Sequence, residues 1–192
     1  MNITETLKAG QLDEGFKLYW EEMNRCRTSG TYWALLHVTV CLPDICAALQ
    51  SLNGETNGKR YVTWCNVNLK DPMLSGRERW DMRCRVLHQG YATTKKTSRY
   101  TGFSFSQPTP TGETQHLNND GGTLVLDVGR LAEEIKAGVG RWIGHLEADP
   151  KSPKAVNTAK HLGSLVRVRA FALPPTPGAT STTPPYFIAR TS

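Results

Sequence analysis

Residues 75–90, SGRERWDMRCRVLHQG, read as a helix with both ends marked. Ser75 and Glu78 form a capping-box pattern in which each side chain can satisfy the other's backbone N–H, and Gly90 is a C-terminal stop. Between them Trp80, Cys84 and Leu87 recur at helical spacing as an apolar stripe.

The same reading extends outward in both directions. Upstream, a helix over about Asp13 to Arg27 carries Phe16, Trp20 and Met23 at helical spacing. A more buried helix over about Tyr32 to Leu52 carries Leu35, Thr39, Leu42, Cys46 and Leu49, and Pro43 is expected to kink or split it. A third, about Gly58 to Asn68, places Tyr61, Trp64 and Cys65 on one side. Downstream, Tyr100 to Phe105 and Thr123 to Val128 suggest two strands separated by a Pro-, Thr-, Asn- and Gly-rich turn over 107–122, together a β-hairpin insertion. Asp127 then caps a last long helix, Val128 to Leu146, whose core face is Leu131, Ile135, Val139, Trp142 and Leu146.

The expected fold is therefore mainly α: a helical bundle over residues 1–148, with the small hairpin at about 99–128 before the last long helix. Residues 149–192 read as a C-terminal extension. Within it Leu165 to Leu173 suggests a strand or helix extension. Pro174 to Pro185 holds five Pro among small polar residues and reads as a flexible tail, with Tyr186, Phe187 and Ile188 as a contact peptide.

Composition bounds the function. A chain of 192 residues with 39% hydrophobic residues can build one core without disulfides or a structural metal. The uncharged stretch from Thr28 to Pro43 is shorter than the roughly 20 apolar residues a bilayer span needs, so no membrane partner is expected. Met1 to Leu12 lacks a signal-peptide pattern, and the five Cys, with no CxxC pair, read as buried reduced thiols. A cytoplasmic protein without metal or cofactor is the expectation.

Charge is concentrated. Of the net +6, residues 77–99 hold seven cations against Glu78 and Asp81, a local net of +5. Arg77 and Asp81, and Asp81 and Arg85, are i,i+4 neighbours that can simply stabilise the helix surface. Lys95, Lys96 and Arg99 have no nearby acidic partner in sequence and are bracketed by Tyr91 and Tyr100. With Arg79 and Arg85 they make a candidate track for a phosphodiester backbone, best suited to single-stranded or looped RNA.

Within this segment Arg83 and His88 have four residues between them. On a helical wheel they flank the apolar stripe on opposite sides, where a second copy of the helix would bring two Arg and two His together. A His can take the proton of a ribose 2′-OH or protonate the leaving 5′-oxygen, and an Arg can hold the charged phosphorane. Among 13 Arg and 5 His such spacing arises roughly once by chance, so the spacing alone does not decide between this chemistry and a capping His88 beside an Arg83 lying over the core. Asp44 reads either as the N-cap of a helix restarting after Pro43 or as a partner orienting Arg83 or His88. A His37–Cys41 nucleophile pair lacks an oxyanion-hole motif.

Arg83-Cys84-Arg85-Val86-Leu87-His88-Gln89-Gly90, on a late bundle helix preceded by an apolar helix with Leu42-Pro43-Asp44-Ile45-Cys46, resembles the HEPN superfamily of helical proteins. Many members are metal-independent endoribonucleases marked by an Arg and a His separated by four to six residues, and they commonly act as dimers with a composite site. The resemblance covers roughly residues 13–146 and implies catalytic roles for Arg83 and His88; many active members carry a polar Asn, Asp or His after the Arg, where this chain has Cys84. It implies an RNA substrate, a homodimer, and a prokaryotic toxin or antiphage effector with an antitoxin or defence partner protein. A noncatalytic HEPN-like module that binds RNA or scaffolds a protein is the alternative, and an unrelated helical interaction protein a third.

Overall fold

The structure is a computed structural model that describes residues 7–8, 10–89, 93–94, 98–107 and 115–165. Among them six helices and three short strands alternate as α1 (Gln11–Thr28), α2 (Tyr32–Leu49), α3 (Gly58–Asn68), α4 (Gly76–Gln89), β1 (Gly102–Ser106), β2 (Asn118–Asp120), β3 (Thr123–Asp127), α5 (Val128–Ala148) and α6 (Pro153–Leu162). The architecture is mainly α, as expected.

Helix α2 is the centre of the core. Its length and hydropathy alone would suit a membrane span, but more than half of its residues are buried within the fold, against α1, α3, α4, α5 and α6. It runs through Pro43 without a break. Pro43 has no N–H to give the carbonyl one turn earlier, a defect that packing on so many sides outweighs. The expected split at Pro43 is absent, and Asp44 is therefore an interior helical residue rather than an N-cap.

The capping box forms: Ser75 N–H donates to Glu78 Oε2 at 2.7 Å, and Glu78 N–H to Ser75 Oγ at 3.4 Å. The buried face of α4 differs from the expected stripe. Arg79, Met82 and Val86 point inward, while Trp80, Cys84 and Leu87 are only half-buried. The buried face lies roughly 130° round the helix from the stripe, because the Arg79 stem takes a core position that a polar residue type conceals. Asp81 is buried as well, 3.7 Å from Arg77 Nε, and so is not a surface charge. Gly76 allows α4 to start against α3: a Cβ there would lie 2.6 Å from the Val62 carbonyl oxygen.

The sheet has the order β1-β3-β2. The two expected strands are present but pair in parallel, Phe103 beside Leu124 and Phe105 beside Leu126, while the hairpin joins β2 to β3. Its tight turn is Gly121-Gly122, both at positive φ, the left-handed geometry that two-residue hairpins need. β1 and β2 thus lie on opposite edges of β3. Asp127 accepts the Arg130 N–H at 2.7 Å and caps α5 as expected, and all five expected core residues of α5 are buried.

The start of the expected C-terminal extension packs on the bundle. Ser152 accepts the Ala155 N–H, Pro153 begins α6, and Ala155, Ala159 and Leu162 are buried where α6 packs on α2 and α5. Gly90, Tyr91, Lys95, Lys96 and residues 166–192, including the expected tail and contact peptide, lie outside the described residues.

Candidate functional site

Where α4 lies against α2, three of the candidate residues meet. Arg83 Nε donates to Asp44 Oδ2 at 2.5 Å, and Arg83 Nη1 to His88 Nε2 at 2.7 Å. Arg83 is flexible enough to reach across its helix, so Arg83 and His88 touch instead of standing on opposite sides of a stripe. The guanidinium also lies over the Trp80 ring, 5.2 Å from its centroid. With Asp44 on one edge and an indole beside it, the Arg83 side chain is held from two directions and 18% exposed, while His88 is exposed.

The electrostatics are reciprocal. Burial pushes the Asp44 carboxyl above its ordinary value, with Arg83 and His88 pulling against it. Burial alone would lower the Arg83 guanidinium; the charge and hydrogen bond of Asp44 outweigh it, and the net shift is upward. Asp44 Oδ1 is buried without a hydrogen-bond partner. A guanidinium has donors and no acceptor, so His88 Nε2 must accept and its proton sits on Nδ1. His88 is exposed, and its Nε2 lone pair is engaged by the Arg83 guanidinium.

Other expected site residues fall elsewhere. Arg79 is buried, 1% exposed, and so is not part of an exposed basic track along α4. Arg99 is not unpartnered: it grips Glu78 through Nε and Nη2 at 2.9 and 2.8 Å and reaches the Pro72 and Met73 carbonyls, tying residues 98–100 to the start of α4. Arg85 is half-buried on α4. His37 Nδ1–H donates to the Trp33 carbonyl at 2.8 Å, and the ring packs edge-on to that indole. Cys41 on the same face has its thiol pushed up by burial and by Asp44, which opposes nucleophilic use.

Around Asp44, α2 turns a contiguous half-exposed face outward: Trp33, His37, Val38, Cys41 and Ile45 fall within about 140° of the wheel. Trp33 is 56% exposed. Trp80, Cys84 and Leu87 of α4 are half-buried as well, and the Trp80 ring lies against Arg83, so the Asp44–Arg83–His88 cluster has apolar side chains on both of its helices.

A second polar network was not apparent in the sequence. His116 Nδ1 accepts the Asp127 N–H at 3.1 Å, so Nε2 carries the proton toward Glu134 Oε1 at 2.6 Å; Glu134 Oε2 accepts from Arg79 Nη2 at 3.4 Å. No spacing links residues 79, 116 and 134. Comparison with protein-family models, curated proteins and solved structures finds no match to this chain.

Proposed function

We propose that this protein is a metal-independent endoribonuclease of HEPN type that acts as a homodimer. The observation that carries the reading is the contact of Arg83 with His88, buttressed by Asp44. In this reading a scissile phosphate draws the Arg83 guanidinium away from His88 and leaves Nε2 open to the ribose 2′-OH. The base takes that proton, O2′ attacks the adjacent phosphorus, and the P–O5′ bond breaks. The 5′-oxygen leaves with a proton from a protonated His88, that of the second copy when two sites share a cleft. The products are a 2′,3′-cyclic phosphate and a 5′-hydroxyl, and Arg83 stabilises the charge of the phosphorane between them.

The half-exposed apolar face of α2 and α4 supports dimerisation, because pairing there would bring both clusters to one interface. A cytoplasmic toxin or antiphage role under the control of a partner protein follows from the same reading. The test is incubation with single-stranded RNA in EDTA, beside Arg83→Ala and His88→Ala. Cleavage that leaves cyclic-phosphate ends and is lost in both variants is expected. No cleavage by the wild type, or equal cleavage by the variants, overturns it; RNA binding without cleavage favours the noncatalytic module.

A further inference from the structure

A different face of α4 contributes to an open cleft of about 300 Å3 between the end of α3, the turn at 70–72 and α5. Lys70, Arg79 and Arg141 line it, together with Asp71 and Glu134. Beside the cleft α5 packs closely on the end of α3 at Gly138, where a Cβ would come within 2.3 Å of the Leu69 side chain and 3.2 Å of the Asn68 carbonyl oxygen.

Both carboxylates already have partners. Asp71 Oδ1 accepts the Met73 N–H at 2.7 Å, and Glu134 is held by His116 at 2.6 Å. The cations are less well served. Arg79 donates through Nε to the Leu74 carbonyl at 3.1 Å and through Nη2 to Glu134 at a stretched 3.4 Å, and its Nη1 is buried with no partner. A buried guanidinium with one long carboxylate bond is under-compensated. Arg141 spends Nε on the Asn68 carbonyl at 2.8 Å, which fixes the side chain across the end of α3; its terminal nitrogens make no further bond among the described residues, and Lys70 makes none.

We propose that this cleft is a binding site for a phosphate group, with Arg79 at its floor and Arg141 and Lys70 at its rim. Two arginines and a lysine lining one small cleft suit an oxyanion that carries more than one charge and several acceptor oxygens. The volume lies at the lower end of small-molecule sites and has room for a phosphate or diphosphate group together with part of the molecule that carries it. The phosphate belongs either to a free small molecule or to an RNA backbone. The site stands independently of the nuclease reading, since none of its three cations belongs to the Asp44–Arg83–His88 cluster.

Titration calorimetry at physiological salt tests it, with pyrophosphate, a 5′-mononucleotide and a 5′-hydroxyl RNA oligonucleotide as separate probes. Lys70→Gln/Arg141→Gln is the informative variant, because both side chains are exposed, and thermal denaturation confirms that it is folded; Lys17→Gln on α1 is the control. Saturable binding of at least one probe is expected, weakened about tenfold or more in the double variant and unchanged in the control. Binding of the two small probes alone assigns a free phosphate ligand, and binding of the oligonucleotide assigns a backbone phosphate. No saturable binding of any probe, or equal binding by the double variant, overturns the site whether or not the protein cleaves RNA.

Discussion

Replacing Asp44 with Ala removes the carboxylate that holds Arg83 and leaves a guanidinium only 18% exposed. Breaking a fully buried ion pair from one side costs about 3–5 kcal/mol. Arg83 keeps the Trp80 face and the His88 nitrogen, and Asp44 itself is charged at some cost, since burial has raised its carboxyl. The expected loss is therefore about 2 kcal/mol, or about 4–8 °C in Tm for a chain of this size. Urea denaturation of Asp44→Ala, Arg83→Ala and the double variant should give a coupling energy of about 1–2 kcal/mol. Asp44→Leu/Arg83→Met should regain most of the stability, because apolar side chains can fill the same space without a desolvated pair, yet it should leave RNA uncut. A coupling below about 0.3 kcal/mol would refute the reasoning, since the two side chains would then not be held together in solution.

Acid should test the clamp at the start of α4. Burial alone would raise Glu78 and Glu134, but hydrogen bonds from Arg99 and Ser75 to the first, and from His116 and Arg79 to the second, lower both. Their contribution to stability is full above the ordinary Glu range and is lost as pH falls through their lower folded values; Glu78→Gln should flatten the acid limb of a stability–pH curve below about pH 4, and an unchanged limb would contradict this. The thiols of Cys46 and Cys65 are pushed up by burial, Cys65 to about 12, so both should resist alkylation at pH 8 in the native protein while all five Cys label in denaturant; rapid native labelling of either would count against the packing. Gly76→Ala gains about 1 kcal/mol of helix propensity, but its Cβ meets the Val62 backbone oxygen and endangers the Asn66–Gly76 hydrogen bond; a net loss of about 1–2 kcal/mol in denaturation is expected, and a stabilised variant would show that α4 can shift away from α3.

What could be read from sequence is what local chemistry encodes. The Ser75–Glu78 box, the Asp127 cap and the Tyr61-Trp64-Cys65 face each depend on residues within one or two turns of each other, and each appears in the structure. The remaining features depend on distant partners. Arg99 looks unpaired because its carboxylate, Glu78, lies 21 positions earlier, and the sequence leaves Asp44 open between a cap and a partner of Arg83 because Arg83 lies 39 positions later. Parallel pairing of β1 with β3 is likewise non-local, whereas two neighbouring strands with a turn-rich link suggest a hairpin. Helix α6 did carry a local signal: Ser152-Pro153 followed by Ala155, Thr158, Ala159 and Leu162 at helical spacing.

The place of α2 in the chain has a consequence for synthesis. This most apolar helix is synthesised before α5 and α6, which cover much of it and follow up to roughly a hundred residues later. In that interval the nascent chain displays a greasy rod of bilayer-spanning length with only α1 and then α3 and α4 to shield it. Translation thus opens a window in which chaperone capture competes with clumping, and the window closes when residues 153–162 emerge.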